Sequence, residues 1–264
     1  MTSDIVVEIG GVPVLLRTAD RALGKIIGER FANFVTSRPS ATPFEMTLRP
    51  DLEGAPKRRT IRGKRLGAGW QFGRCDFHAE WSSETGRGVI RQEAGSGYPA
   101  DAFLRIFHSL LLPSQRGFLL HSATLVRNGS AFAFCGVSGA GKTTMCRLAP
   151  PEVTLLSDEI SYIRPAGDGY RAFGTPFASD LGRIGENVSA PLKALYLLAK
   201  GPQNKSEPMS RREAAASLLH NAMVFTDDAE ISRLVFEAAL DLVMRVPVYR
   251  LTFVPTPEVW ETIT

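Results

Sequence analysis

One eight-residue segment, 136–143, constrains this chain more than any other part of its sequence. It reads Gly-Val-Ser-Gly-Ala-Gly-Lys-Thr, follows an apolar run and precedes a helical pattern, which is the order of a phosphate-binding P-loop. Backbone N–H groups at a helix N-terminus hold phosphates well, and glycine lets the chain wrap closely around them. The predicted phosphate-binding residues are Gly136, Ser138, Gly139, Ala140, Gly141, Lys142, Thr143 and Thr144.

Two side chains of this segment have distinct expected roles. Lys142 supplies a mobile positive charge for the terminal phosphates, and Thr143 supplies a hydroxyl ligand for Mg²⁺. The alternative is a glycine-rich turn with an incidental lysine. The strand pattern before the segment and the helix pattern after it favour the P-loop.

An acidic pair follows the next apolar run, in Leu-Leu-Ser-Asp-Glu at 155–159. Asp158 lies sixteen residues after Lys142, so the pair comes at the end of the very next strand, where a Mg²⁺-binding carboxylate is expected. We expect Asp158 and Glu159 to share metal binding and deprotonation of an attacking hydroxyl, with Asp158 as the metal ligand. The alternative is a turn with two solvated carboxylates.

A histidine precedes the P-loop by one strand. The apolar runs 117–126 and 131–135 are joined through Asn128-Gly129, a strong hairpin signal that predicts antiparallel pairing. An isolated histidine in an apolar strand is usually a packed core residue. The hairpin, however, would set His121 close to the phosphate loop, where a ring nitrogen could meet a phosphate or a metal.

Bulk composition excludes several classes of protein. A net charge of +4 is too weak to indicate nucleic acid as the main partner. Cys75, Cys135 and Cys146 have no CxxC spacing, which argues against a disulfide framework or zinc site and favours a cytoplasmic protein. The most apolar stretch, 102–112, is too short to span a bilayer, so no membrane partner is expected.

The N-terminal part is predicted to be rich in β-strands. Runs 5–9 and 12–17 flank Gly10-Gly11, 44–49 alternates apolar and polar residues, and 68–92 contains further alternating pieces. Segment 56–65 concentrates six basic residues. A solvated loop is favoured there over a substrate-docking patch, because no aromatic residues interleave with the charge.

The remaining elements follow from apolar periodicity and breaker residues. Helices are predicted over 99–112, 144–148, 210–221 and 227–244, strands over 153–156, 160–163, 194–199 and 246–254, and a polar loop over 201–208.

Together the motifs carry a family resemblance. Leu-Leu-His-Ser-Ala-Thr-Leu at 119–125, the P-loop and the acidic pair resemble, in order and spacing, the catalytic domain of the HPr kinase/phosphorylase family and its HPr-kinase-like relatives. Gly174–Phe177 also resembles these relatives. The resemblance implies an α/β fold: a P-loop phosphotransferase core of HPr kinase/PEP carboxykinase type with a mixed sheet, over 99–264. The β-rich domain, 1–98, precedes it and is a candidate for substrate recruitment.

The resemblance also implies an activity. ATP or another nucleotide, with Mg²⁺, would donate a phosphoryl group to a hydroxyl of a peptide, protein or small molecule, with His121, Lys142, Asp158 and Glu159 as catalytic residues. The HPr enzymes carry two aspartates where this chain has Asp158-Glu159, and their N-terminal domain differs. The acceptor is therefore left open, as are the donor and assembly into a homo-oligomer.

Two other functions are alternatives. One is a nucleotide-binding regulatory or assembly protein with weak or no catalysis, for which the acidic pair would be unnecessary. The other is an ordinary ATPase or GTPase. A G-protein carries Asn-Lys-x-Asp after the P-loop, and the nearest match here, 204–207, reads Asn-Lys-Ser-Glu in a predicted polar loop.

Overall fold

The structure is a computed structural model that describes residues 2–52, 61–178 and 183–264. The chain is α/β with mixed sheets and divides into two compact units, Met1–His108 with Phe225–Glu230, and Ser109–Val224 with Ile231–Thr264. The domain boundary drawn from the sequence, between residues 98 and 99, falls inside the first unit. Within the described ranges, no helix is long and apolar enough to cross a membrane.

The first unit combines a sheet with helices. Its elements are β1 Ser3–Ile9, β2 Val12–Thr18, α1 Arg21–Arg30, β3 Phe44–Arg49, β4 Arg62–Leu66, β5 Gly69–Arg74, β6 Phe77–Ser82, β7 Arg87–Gln92 and most of α2, Tyr98–Leu111. The strands lie in the order β1-β2-β3-β7-β6-β5-β4. The β2/β3 and β3/β7 pairs are parallel and the other pairs antiparallel.

Aromatic side chains fill the core of this unit. The ring of Phe107, on α2, packs edge-on against Trp81 at 5.1 Å and Phe44 at 5.0 Å between centroids. Phe103, one helical turn earlier, lies 5.8 Å from Phe72. Helix periodicity on α2 and strand alternation on β5 and β6 therefore bury the same apolar layer.

The second unit holds the sequence motifs. Its elements are β8 Phe118–Arg127, β9 Ser130–Cys135, α3 Lys142–Arg147, β10 Thr154–Ser157, β11 Ile160–Ala166, β12 Gly169–Phe173, β13 Ser189–Lys200, β14 Lys205–Pro208, α4 Arg211–Asn221, most of α5 Ala229–Arg245, β15 Val248–Phe253 and a closing 3₁₀ turn Pro257–Thr262.

Two long strands, β8 and β13, organise this unit. The first half of β8 pairs with β11, and its second half pairs with β9 on one side and β10 on the other. The beginning of β13 pairs with β12, and the rest lies parallel to both β9 and β15. Because β11 also pairs with β12, the strands β8, β11, β12, β13 and β9 form a closed circuit.

Two sequence predictions of loops are wrong. The charged segment Arg62–Leu66 is strand β4, paired with β5, and the polar segment Lys205–Pro208 is strand β14, paired with β15. Both are edge strands, where backbone hydrogen bonds hold one side of the strand and charged side chains stay in water. Residues 56–60 of the basic segment lie outside the described residues.

Candidate functional site

The glycine-rich loop, 136–141, connects the end of β9 to the start of α3. Gly139 and Gly141 have φ values of 78° and 113°, in the region that side chains avoid. A Cβ on Gly141 would lie 2.5 Å from Cζ of Phe253, so a glycine is required there for two reasons. Ala140 is buried, whereas Val137 to Gly139 are exposed at the tip of the loop.

Lys142 opens α3 and turns its side chain back toward the loop. Its Nζ donates a hydrogen bond to the Gly136 carbonyl oxygen at 2.7 Å, and only 9% of the residue is exposed. Burial lowers the pKa of the Lys142 ammonium, while the nearby Glu159 carboxylate acts in the opposite direction. Since a partly desolvated ammonium binds anions more strongly than a hydrated one, this cation is suited to phosphate oxygens.

His121 lies on β8, opposite Ile160 of β11 in the antiparallel register. Burial lowers the pKa of the His121 imidazole, and the positive charge of Lys142 lowers it further. The ring is therefore neutral at pH 7. The influence of Lys142 on His121 places the two residues in the same region. The β8–β9 register agrees, because it sets Ser122, next to His121, opposite Cys135, the last residue before the glycine-rich loop.

The acidic pair forms the turn between β10 and β11, and its two carboxylates have different environments. Asp158 is 2% exposed. Burial raises the pKa of the Cys146 thiol to about 12, and the Asp158 charge adds to this effect. Asp158 therefore lies near Cys146 of α3. Glu159 is half-buried and close enough to Lys142 to affect its pKa.

The oxygen ligands expected for Mg²⁺ lie at the start of α3 and in the acidic turn. Thr143 and Thr144 are half-buried at the start of α3, and Ser138 is exposed. Among the described residues no group of three His, Cys, Asp or Glu side chains is placed to hold a metal. A hydroxyl and one buried carboxylate nevertheless fit Mg²⁺, which commonly takes one or two carboxylates and completes its shell with phosphate oxygens and water.

Residues 101–264, more than half of the chain, match the family described as SynChlorMet cassette protein ScmC. The chain belongs to the ScmC family. The matched range of this ScmC-family chain contains the glycine-rich loop, His121 and the acidic turn.

Comparison with solved structures finds an Hpr(Ser) kinase/phosphatase from Coxiella burnetii. The two chains share 12% sequence identity at a TM-score of 0.32, and the match covers 55% of this chain and 87% of that one. No curated protein matches the chain.

Sequence reasoning missed a buried hydroxyl network in this ScmC-family chain. Ser161 of β11 accepts from Ser122 at 2.7 Å, is 2.5 Å from the Thr124 hydroxyl, and donates to the Ser122 carbonyl at 3.0 Å. All three residues are fully buried. The network ties β8, which carries His121, to the strand that follows the acidic turn. Serine and threonine in apolar runs are its only sequence signal.

Thr175 and Gly185 also pack on the residues that flank the acidic turn. Thr175 donates from its backbone to the Leu156 carbonyl at 3.0 Å and from its hydroxyl to the Ile160 carbonyl at 2.9 Å. A Cβ on Gly185 would clash with the Leu156 carbonyl oxygen. These contacts bracket Asp158 and Glu159 from both sides. The signal for this segment in the sequence is the family-like Gly-Thr-Pro-Phe at 174–177.

Proposed function

We propose that this chain is a phosphotransferase that moves the terminal phosphoryl group of a Mg²⁺-bound nucleotide to a serine-type hydroxyl. The observation that carries the proposal is the grouping of Lys142, His121 and Glu159 near the glycine-rich loop. The charge of Lys142 lowers the pKa of His121, and the charge of Glu159 acts to raise the pKa of Lys142. Perturbed ionisable groups that cluster beside a loop of this kind are typical of functional sites.

The loop and Lys142 would bind the donor. Backbone N–H groups of the loop and the start of α3 would cradle the phosphates, with the Lys142 ammonium on the terminal phosphate oxygens. Neutral His121 could donate a hydrogen bond to a phosphate oxygen without adding charge. These contacts offset the negative charge that repels an incoming nucleophile.

Glu159 is our choice for the base and Asp158 for the metal ligand, because Glu159 is half-buried beside Lys142 and Asp158 is buried beside α3. Glu159 would accept the hydroxyl proton as the acceptor oxygen forms its bond to the terminal phosphorus. The bond from that phosphorus to the bridging oxygen breaks, and the electron pair leaves with the nucleoside diphosphate. Bound at Thr143 and Asp158, Mg²⁺ would supply positive charge for the phosphate oxygens.

The acceptor class stays broad in this proposal: a peptide, a protein or a small molecule with a free hydroxyl. Assignment of the β-rich unit to substrate recruitment is part of the same proposal. Its exposed β4 edge carries Lys64, and Arg65 is held by Asp228 and Glu230 at 2.8 and 3.0 Å.

Transfer of label tests the function. Purified protein is incubated with γ-³²P-ATP, Mg²⁺ and a panel of serine-containing peptides, and phosphorylated products are separated. We expect transfer by the wild type and its loss in Lys142→Ala and Asp158→Asn, with Arg147→Ala, an exposed charge on the same helix, as the matched control. Stoichiometric nucleotide binding without transfer to any acceptor would favour the regulatory alternative. Transfer that survives both site substitutions would overturn the proposed site.

A further inference from the structure

Three parallel strands of the second unit end at one edge of its sheet. β9 and β15 both lie parallel to β13, so the loops that follow these strands leave from the same side: the glycine-rich loop after β9, residues 201–204 after β13, and 254–256 after β15. In α/β sheets, ligands bind outside the carboxyl ends of such strands. Direct contact links two of these loops, because the last residue of β15, Phe253, packs against Gly141.

The acidic turn fixes the direction in which a bound nucleotide would extend. Asp158 and Glu159 lie on the β8–β10 side of the glycine-rich loop, so a terminal phosphate that must meet them points to that side. The nucleoside then extends the other way, across β13 toward β15. Two inter-strand spacings, about 9–10 Å, separate β9 from β15, a distance comparable to the reach of a nucleoside from its β-phosphate.

Asn204 occupies the end of this path. Its Oδ1 accepts a hydrogen bond from the Val254 backbone N–H at 2.9 Å, the residue next to the one that touches Gly141. An N–H donor requires an oxygen acceptor, which fixes the orientation of the amide and directs Nδ2 away from Val254. Asn204 is half-buried, and within the described ranges its Nδ2 donates to no protein acceptor.

We propose that Asn204 is a specificity-determining residue that donates from Nδ2 to a ring acceptor of a purine base. The inference rests on the proposed function and names its donor as a purine nucleoside triphosphate, rather than pyrophosphate or a pyrimidine nucleotide. N7 is an acceptor common to adenine and guanine, so this contact selects purines as a class.

The position of Glu207 supports selection of purines as a class and not of guanine alone. It stands where a guanine-reading motif carries aspartate, but in this structure Glu207 lies on edge strand β14 and pairs with Lys205 at 2.8 Å, with both side chains about half exposed. The Glu207 carboxylate is thus engaged by Lys205 on the surface of β14. Asn204, in contrast, follows the carboxyl end of β13 and bonds to Val254, next to the residue that contacts the glycine-rich loop. Of the two residues, Asn204 is therefore the one that lies at the end of the proposed path.

Two substitutions separate the Nδ2 donor from the Oδ1 acceptor. Asn204→Asp keeps an oxygen for Val254 and removes the donor, whereas Asn204→Ala removes both without adding charge. Affinities for MgATP, MgGTP and magnesium pyrophosphate are measured by equilibrium titration at 0.15 M salt. We expect both variants to lower the ratio of ATP affinity to pyrophosphate affinity roughly five- to tenfold, as the loss of one hydrogen bond would do. The ratio of GTP affinity to pyrophosphate affinity should fall by the same factor. Gln203→Ala, at an exposed neighbour, should leave both ratios within about twofold of the wild type.

Each other outcome counts against the inference. Unchanged ratios in both variants would overturn it, and a fall in Asn204→Ala alone would show that the acceptor for Val254, not the donor, matters. A wild type that binds pyrophosphate as tightly as ATP would overturn the inference and leave the proposed function standing. A wild type that binds neither ligand would overturn both.

Discussion

The backbone N–H of Ser122 donates to the carbonyl oxygen of Glu159 at 3.0 Å. This bond joins the residue after His121 to the acidic turn through main-chain atoms alone. The β8–β11 ladder and this bond hold the turn through main-chain atoms. We therefore expect that the Glu159 side chain can be changed without displacing the loop that carries it.

The first prediction uses that independence. Glu159→Gln should preserve the thermal midpoint and nucleotide affinity within experimental error, because the backbone bond to Ser122 remains. Loss of the base should lower the single-turnover rate of phosphoryl transfer by roughly 10²–10⁴-fold. Transfer at the wild-type rate would reassign the base to another residue, and a collapse of stability would mean that the carboxylate holds the turn.

A second prediction concerns the glycine-rich loop. Gly141→Ala places a Cβ 2.5 Å from Phe253 at a residue with a φ of 113°. Gly139→Ala also puts a side chain on a residue with a positive φ, 78°, but its Cβ meets nothing within 4 Å. We expect Gly141→Ala to cost about 1–3 kcal/mol of unfolding free energy and Gly139→Ala about 1 kcal/mol. Urea denaturation of the two variants measures the difference. Equal costs would mean that Phe253 moves aside freely.

The third prediction is a pH dependence from His121. Because the pKa of His121 is lowered from 6.5 in the folded chain, the unfolded chain binds more protons as the pH falls below about 6.5. This group's contribution to stability is therefore present above that pH and is lost below it. Burial also lowers the pKa of His108, to about 3, so that residue adds to the same acid sensitivity.

His121→Gln should consequently lose less stability than the wild type between pH 7.5 and pH 5.5, as measured by thermal midpoints. The contribution of His108 remains in both proteins and cancels in the comparison. His220→Gln, at an exposed site, is the control and should follow the wild type. If His121→Gln also follows the wild type across this interval, the imidazole is not held neutral in the folded chain.

Thiol chemistry gives the fourth prediction. Cys75 is exposed, while Cys135 and Cys146 are buried, and burial raises the pKa of both buried thiols to about 12. Reaction requires the thiolate and access to it. A colorimetric thiol reagent at pH 8 should label one cysteine rapidly in the native protein and three in urea, and Cys75→Ser should remove the rapid phase. Fast labelling of two or more native thiols would contradict the packing around α3.

The parts of the fold that the sequence predicted are those with strong local signals. Asn128 and Gly129 have φ values of 52° and 73°, as the Asn-Gly hairpin turn requires, and the β8–β9 pairing follows. The helix over 99–112 is confirmed as α2. In each case the residues that determine the structure are neighbours in the chain.

The missed elements depend on distant contacts. Helix α1 contains Gly24 and buries few apolar residues, and that glycine is needed because a Cβ would lie 2.5 Å from the Ser3 hydroxyl on β1. Its detectable signal was Asp20, whose side chain caps the first turn. Strands β4 and β14 carry charged residues because their pairing is through the backbone at a sheet edge.

The candidate site likewise has parts with local sequence signals and parts that depend on distant contacts. The loop, Lys142 and the acidic pair are readable as motifs, and their spacing predicted that they would meet. The contacts of Thr175 with Leu156 and Ile160, and of Asn204 with Val254, join segments that are 15 to 50 residues apart. No local pattern encodes such contacts, because they depend on which strands become neighbours.

The central claim, that segment 136–143 holds the phosphates of a nucleotide through Lys142, is tested most directly by equilibrium titration with MgATP. We predict one site per chain in the wild type, binding at least tenfold weaker in Lys142→Ala, and wild-type binding in Arg147→Ala, which removes an exposed charge from the same helix. Equal affinities of the wild type and Lys142→Ala would contradict the account.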